Sequence, residues 1–261
     1  MLCRNMDRAE ETAEEIRQKT RNKVVVMHLD LASLKSIRSC ANQLIQQEVQ
    51  IDFLINNAGI MACPEMRTED GFEQQIGTNH LGHFLLTELL LPKLKHSASH
   101  GFNARIVIVS SVAHLGGNIR WDDLNFETPG SYSPARAYFQ SKLANVMHGA
   151  ALARKLQGTG ITVYSLHPGV IDTELTRHIQ KSHWVAYSLL GRLYRYLIKT
   201  PFHGAQTTLY CCLEDKLSGV SGKYYSDCVE ARPKRQALVI EDQEKLWKMS
   251  CDMVGIKTTV N

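Results

Sequence analysis

Two hydrophobic rhythms alternate along the chain: short runs that are apolar along their whole length, and longer stretches whose apolar residues recur every three to four positions. Met1 to Asn5 reads as the end of a strand, and Asp7 to Lys19 as a surface helix with Ala9, Ala13 and Ile16 on its apolar face. Lys23 to His28 is a β-branched run, and Ser33 is placed to N-cap a helix reaching about Glu48. Ile51 to Ile55 reads as a buried strand entering Asn56-Asn57-Ala58-Gly59, Gly71 to Lys95 as a long helix, and Arg105 to Val109 as a strand ending in Ser110-Ser111. A loop rich in Gly, Asp and Asn leads to a helix that carries Tyr138 and runs to about Leu156, where Gly158 and Gly160 end it. Ile161 to Leu166 is the next strand, before His167-Pro168-Gly169, and Gln236 to Gly255 is a closing helix around Leu246, Trp247 and Met249. Strands apolar on both sides, alternating with helices, predict an α/β fold: a doubly wound parallel sheet covered on both faces, in a single domain.

Composition narrows this picture. The 261 residues are enough for a large core, and 44% hydrophobic against 21% charged residues fits a globular chain. A formal charge of +4, with one short basic run at Arg232-Pro233-Lys234-Arg235, argues against nucleic acid as a partner. Seven cysteines without regular spacing point to free thiols in a reducing compartment, and no Cys-x-x-Cys or His-Glu-x-x-His pattern suggests a metal. The longest apolar runs, around Leu85 to Leu91 and Trp184 to Leu190, are too short to span a bilayer, and no signal peptide opens the chain.

The candidate chemistry centres on Tyr138-Phe139-Gln140-Ser141-Lys142. Four residues apart on a helix, Tyr138 and Lys142 share one face. An ammonium one turn from a phenol is expected to lower the phenol's pKa from about 10, so that it exchanges a proton with an alcohol or carbonyl oxygen. The same spacing also fits a packed tyrosine beside a solvated lysine. Ligands of doubly wound sheets sit beyond the carboxyl ends of the strands, where Asp30, Asn56 to Gly59, Ser110-Ser111 and Pro168-Gly169 all fall. Ser111 reads either as a donor to a substrate oxygen or as a turn cap. Gly59 reads as a close backbone approach to a ligand or a tight turn, and Asn79 as a polar task within a helix or a solvent-facing filler.

In this order and spacing, Asn56-Asn57-Ala58-Gly59, Asn79, Ser111, Tyr138-x-x-x-Lys142 and Pro168-Gly169 resemble the short-chain dehydrogenase/reductase family. The strings Thr78-Asn79-His80-Leu81-Gly82-His83-Phe84, Ser141-Lys142-Leu143-Ala144-Asn145 and His167-Pro168-Gly169-Val170 to Thr173 resemble its retinol dehydrogenase-like branch. The resemblance implies an NADP(H)-dependent oxidoreductase interconverting an alcohol and a carbonyl on a lipophilic substrate, such as a retinoid, steroid or lipid. It implies Tyr138 as acid or base, Lys142 as the group that tunes it and holds the nicotinamide ribose, Ser111 as orienter of the reacting oxygen, and Asn79 as holder of a relay water. Asp30 and Leu31 would meet the adenine, Asn57, Ala58 and Gly59 the ribose, and Pro168, Gly169, Val170 and Thr173 the nicotinamide. Arg4, after the family's second strand, favours NADP over NAD.

One departure matters. The family's Gly-rich phosphate turn follows its first strand, yet this chain has no glycine before Gly59. We therefore expect a sheet missing the first strand and first helix, an N-terminally truncated form, with a bare edge on the strand that follows the gap. The competing expectation is a catalytically silent form that acts by partner binding. Val112 to Ala137 and Asp172 to Phe202 are expected to shape the substrate pocket. The aromatic, basic stretch 184–199 reads as a lid, a peripheral membrane contact or an ordinary amphipathic helix packed on the core. The resemblance also implies a homodimer through the Tyr138 helix, and a location in the cytoplasm or at the endoplasmic reticulum surface.

Overall fold

A computed structural model of the chain describes residues 1–171 and 199–257. The amino-terminal unit is β1 (Leu2–Cys3), α1 (Met6–Thr20) and β2 (Met27–His28), followed by α2 (Leu34–Gln47). Asn5 and Ser33 cap the two helices by accepting from Arg8 N–H and Ser36 N–H. Next come β3 (Phe53–Asn56), a short α3 (Gln74–Ile76), a π-helical turn Gly77–Leu81, α4 (Gly82–Ser99) and β4 (Arg105–Val109). The chain continues through α5 (Pro134–Lys155), β5 (Thr162–His167), α6 (Pro201–Leu213), β6 (Lys223–Ser226), β7 (Val229–Glu230) and α7 (Ile240–Val254).

The sheet is divided. β1 and β2 form a two-stranded parallel pair, while β3, β4, β5 and β6 run parallel in a second sheet that β7 closes antiparallel. Among the described residues no strand joins β1 to β3, so the bare edge expected from the sequence is present on β3. The two sheets nevertheless share one core: Met27, Leu29 and Leu31 pack with Leu54, Leu81, Phe84 and Ile106.

Boundaries shift where long-range pairing decides. The β-branched run from Lys23 shrinks to Met27–His28, because the partner β1 offers only two residues of ladder. The helix expected from Gly71 begins instead at Gln74, where the buried Glu73 carboxylate accepts from the N–H groups of Gln75 and Ile76, both at 2.8 Å. α6 and the β6–β7 hairpin have no counterpart in the sequence reading. The hairpin turns on Asp227 and Cys228, both with left-handed φ (53° and 61°), as tight hairpin turns require. α5 is enclosed by its own chain: Tyr138, Ser141 to Gly149 and Ala151 to Ala153 are all buried.

Two contacts fix β3 and the β2 end against the α4 unit. Asn56 Nδ2 donates to Thr87 Oγ1 at 2.8 Å. Gly82 lies so close to the loop after β2 that a Cβ there would sit 2.4 Å from the Leu31 carbonyl oxygen. Gly82→Ala should therefore lower the unfolding free energy by about 1–3 kcal/mol through overpacking, despite the ~1 kcal/mol by which a helix interior prefers Ala. Urea unfolding measures this; an unchanged or raised midpoint would contradict it.

Candidate active site

The carboxyl ends of β3, β4 and β5 lie side by side because the three strands are parallel and in register. They carry Asn57 to Gly59, Ser110-Ser111 and Pro168 to Val170 onto one rim, as the motif spacing predicts. Asn79 reaches the same rim through the π-helical turn, a wide turn that recurs at functional sites. Its side chain is fully buried and fully bonded. Nδ2 donates to the Ile60 carbonyl and to Ser141 Oγ, both at 2.9 Å, and Oδ1 accepts from Ile60 N–H at 2.9 Å. One amide thus ties the loop after β3 to α5. Ser141 completes the tie by donating to the Tyr138 carbonyl at 2.8 Å.

Gly59 sits inside this clasp. A Cβ there would meet Asn79 Oδ1 at 3.2 Å and Lys142 Nζ at 3.3 Å. The absent side chain lets loop, amide and ammonium converge. Ser110 Oγ donates to the Lys142 carbonyl at 2.7 Å and docks α5 on the end of β4.

Tyr138 and Lys142 share one face as their spacing requires, with Lys142 Nζ 5.8 Å from the centre of the Tyr138 ring. Tyr138 is 4% exposed. The expected tuning differs in direction. Burial holds the Tyr138 phenol above its ordinary value, and the nearby Ser111 side chain acts to lower it. The Lys142 Nζ donates to the Val109 carbonyl at 3.2 Å, which also accepts from Asn145 Nδ2 at 3.3 Å. Burial of that ammonium pulls Lys142 down to about 8. Of the two roles weighed for Ser111, the structure shows the cap: its Oγ accepts from Ala113 N–H and caps the turn Val112–Gly116.

Behind the clasp lies a buried histidine group. His83 Nδ1 meets the Asn79 carbonyl at 3.0 Å, and His80 Nε2 meets Ser250 Oγ at 2.8 Å on α7. His148 stacks near His80, Phe84 and Trp247. Burial lowers His80 to about 3 and His83 to about 4, so both are neutral at physiological pH and His83 can donate only through Nδ1–H. Ser141, Asn145 and His83 lie inside the strings that carry the family resemblance, but the sequence reading gives them no role and leaves Ile60 unnamed; their task is to hold other groups.

The remaining candidates lie further out. Arg4 is exposed just past β1, ahead of the Asn5 cap. Asp30 caps the turn after β2 by accepting from Ala32 N–H at 2.9 Å, and Leu31 is buried in the core. Asn57 and Ala58 are exposed on the rim. Gly169 adopts a left-handed φ of 94°, with the Lys199 side chain packed over it. Thr173 and all of the 184–199 stretch except Lys199 lie outside the described residues. Among the described residues no helix is long and apolar enough to cross a membrane.

Comparison with known proteins agrees with this geometry. The family described as short chain dehydrogenase matches residues 1–123. Human retinol dehydrogenase 13 is 47% identical over 260 residues, spanning 98% of this chain and 77% of its own length. Human retinol dehydrogenase 12 is 48% identical over 258 residues, spanning 98% and 78%. A solved structure from Mycobacterium paratuberculosis superposes on all of this chain and 85% of its own, with a TM-score of 0.76 and 33% identity. The Pseudomonas aeruginosa RhlG/NADP active-site complex covers 85% of this chain and 82% of its own, with a TM-score of 0.64 and 25% identity.

The buried lysine has a pH signature. Its ordinary value is 10.5 and its folded value about 8. Between these limits the unfolded chain holds a proton that the folded chain has released, so stability rises with pH across that window. Lys142→Met should flatten this rise in unfolding curves measured from pH 7.5 to 10.5; an unchanged slope would contradict the burial.

Proposed function

This chain belongs to the short-chain dehydrogenase family of NAD(P)-linked oxidoreductases, and on that premise we propose that it interconverts an alcohol and a carbonyl on a lipophilic, retinoid-like substrate with NADP as its cofactor. The observation that carries the reading is a buried Tyr138 one turn from a buried Lys142, its Nζ 5.8 Å from the Tyr138 ring centre, beside the rim where β3, β4 and β5 end.

The residues fit the ribose and nicotinamide half of such a cofactor. The Lys142 ammonium carries three N–H donors and directs one at Val109, which leaves donors for ribose hydroxyls. Gly59 keeps the backbone open beside it, and Asn57, Ala58, Pro168, Gly169 and Val170 flank the same rim. The bound cofactor supplies or accepts the hydride. Tyr138 then gives its phenolic proton to the carbonyl oxygen in reduction, or takes the alcohol proton in oxidation, while Ser111 holds that oxygen by a hydrogen bond. Burial keeps the phenol protonated, which suits it to the acid role, and a lysine near 8 can refill the proton without a large barrier. Asn79 fixes the loop and helix that carry these groups. On the adenosine side Arg4 offers a cation for a 2′-phosphate, next to Asp30 and Leu31 for the adenine. Thr173 belongs to the same proposal.

A retinoid-like substrate fits the relatives' names, and partition of such a substrate into lipid favours work at a membrane surface, with the endoplasmic reticulum as one such site. A second reading, partner binding without turnover, draws support from the open edge of β3.

Tyr138→Phe should reduce NADPH-dependent retinal reduction by about 10²–10⁴-fold while NADPH affinity stays within a few-fold. Equal turnover by the variant would remove Tyr138 from the chemistry, and no turnover by folded wild type would favour the silent reading. Arg4→Ala should weaken NADPH binding by about tenfold, a loss of roughly 1.4 kcal/mol, and leave NADH unchanged. Equal losses for both cofactors would refute a 2′-phosphate contact.

A further inference from the structure

The basic run Arg232-Pro233-Lys234-Arg235 takes no part in the proposed chemistry, yet one of its residues reaches the turn that begins at Ser111. The run lies in the link between β7 and α7, which is fixed on either side of Lys234. Ala231 N–H donates to the Tyr224 carbonyl of β6 at 2.8 Å, and Ala237 is buried in one core cluster with Leu143, Ala144 and Val146 of α5. Lys234 Nζ donates to the Gly117 carbonyl and, at 3.0 Å, to Asn118 Oδ1.

His114 stands between this link and Ser111. It is 1% exposed, and both of its ring nitrogens have partners. Nδ1 lies 2.6 Å from the Ser111 carbonyl oxygen, and the Lys234 backbone N–H donates to Nε2 at 3.2 Å. A carbonyl only accepts and an amide N–H only donates, so these two contacts fix the ring's protons: Nδ1 carries a hydrogen and Nε2 carries none. The ring is therefore neutral. Burial holds its pKa below the ordinary value, with the Lys234 charge acting in the same direction and the Ser111 carbonyl against it. The His114 backbone N–H also donates to the Ser111 carbonyl, at 3.1 Å, so that one oxygen accepts twice from one residue. The Tyr224 ring packs against the imidazole, with centroids 4.8 Å apart.

The same turn is pinned on its α5 side. A Cβ at Gly117 would sit 2.4 Å from the Phe139 carbonyl oxygen, and Arg120 N–H donates to Gln140 Oε1 at 2.9 Å. Phe139 and Gln140 directly follow Tyr138, so the turn joins the end of β4 to the helix that carries the phenol. Within it the Ser111 carbonyl sets the plane of the peptide that leads to Val112. That plane in turn sets where Ala113 N–H meets Ser111 Oγ, at 3.2 Å. A group that holds this carbonyl therefore holds the hydroxyl.

We propose that His114 is a positioning residue for Ser111: clamped between the Ser111 carbonyl and the Lys234 N–H, its neutral ring fixes the turn that presents the Ser111 hydroxyl to a substrate oxygen. The inference rests on the substrate role proposed above for Ser111. It also gives the link between β7 and α7 a part in the site, since the acceptor side of the ring is satisfied by the backbone of Lys234. Buried polar groups are held by the cost of leaving them unpaired. Moving the ring would unpair the Ser111 carbonyl at one end and the Lys234 N–H at the other.

Three substitutions in the full chain separate the arms of the clamp. His114→Leu gives up both, His114→Asn keeps a donor where Nδ1 stands, and His114→Gln keeps a polar group only where Nε2 stands. The Ala113 N–H, bonded to Ser111 Oγ, reports the place of the hydroxyl without any turnover. In His114→Leu, amide exchange at Ala113 should quicken by about tenfold or more, while exchange at Val107 in β4 stays within about twofold of wild type. His114→Asn should regain most of the protection. His114→Gln should behave as His114→Leu does, and it decides the matter if the Leu variant does not fold. With NADPH and retinal, His114→Leu should lower kcat by about tenfold, leave the KM for NADPH within about twofold, and cost nothing further in a Ser111→Ala background. Unchanged Ala113 exchange in the folded Leu or Gln variant, or a kcat loss that adds in full to that of Ser111→Ala, would overturn the proposal. Absence of turnover by the folded wild-type chain would contradict the proposed function instead, and exchange at Ala113 would still decide the clamp.

Discussion

The site depends on one buried amide. Asn79 brings together segments that are distant in sequence, the Ile60 loop after β3 and the Ser141 turn of α5, and it does so with no hydrogen-bonding group of its side chain left idle on the donor side. Each such bond contributes only about 0.5–1.5 kcal/mol net, whereas a buried group left unpaired costs about 1–3 kcal/mol. The arrangement is therefore held less by the strength of its bonds than by the cost of any geometry that misses one. The π-helical turn aims the side chain inward, and Gly59 leaves the space into which amide and ammonium converge.

That clasp explains how a divided sheet can still present a coherent rim. Tyr138, Lys142, Ser111, Asn79 and Gly59 all belong to β3, β4, α5 and the helix leading into α4, on the larger sheet and the helices that cover its inner face. The gap lies on the far side of β3 and removes neighbours from Phe53 and Ile55 without touching the elements that position the phenol. Arg4 and Asp30, proposed for the adenosine side, ride on the two-stranded unit, which shares a core with the larger sheet and abuts α4 at the Leu31–Gly82 contact.

Much of this was legible in the sequence, for identifiable reasons. Arg105 to Val109 was found with its boundaries because a strand apolar on both faces leaves an uninterrupted run, and β4 is buried on both faces. The rim residues were found because ligand chemistry in a parallel sheet gathers at strand ends. β6 and β7 were missed because Lys223-Tyr224-Tyr225-Ser226 is short and mixed, and only its pairing with β5 makes it a strand. Ser141 and Ile60 were missed because their part is to complete another residue's hydrogen bonds. The direction of the Tyr138 shift was not legible in the spacing: burial of the phenol, which the sequence does not show, raises its pKa.

The account rests on Asn79 as the tie that assembles the nicotinamide side, and NADPH titration of the full chain beside Asn79→Ala, followed by cofactor fluorescence, tests it most directly. The prediction is saturable binding by the wild-type chain and at least about tenfold weaker binding by a variant whose unfolding transition shows it remains folded. Equal affinity for the two chains, or no binding by a folded wild-type chain, would contradict it.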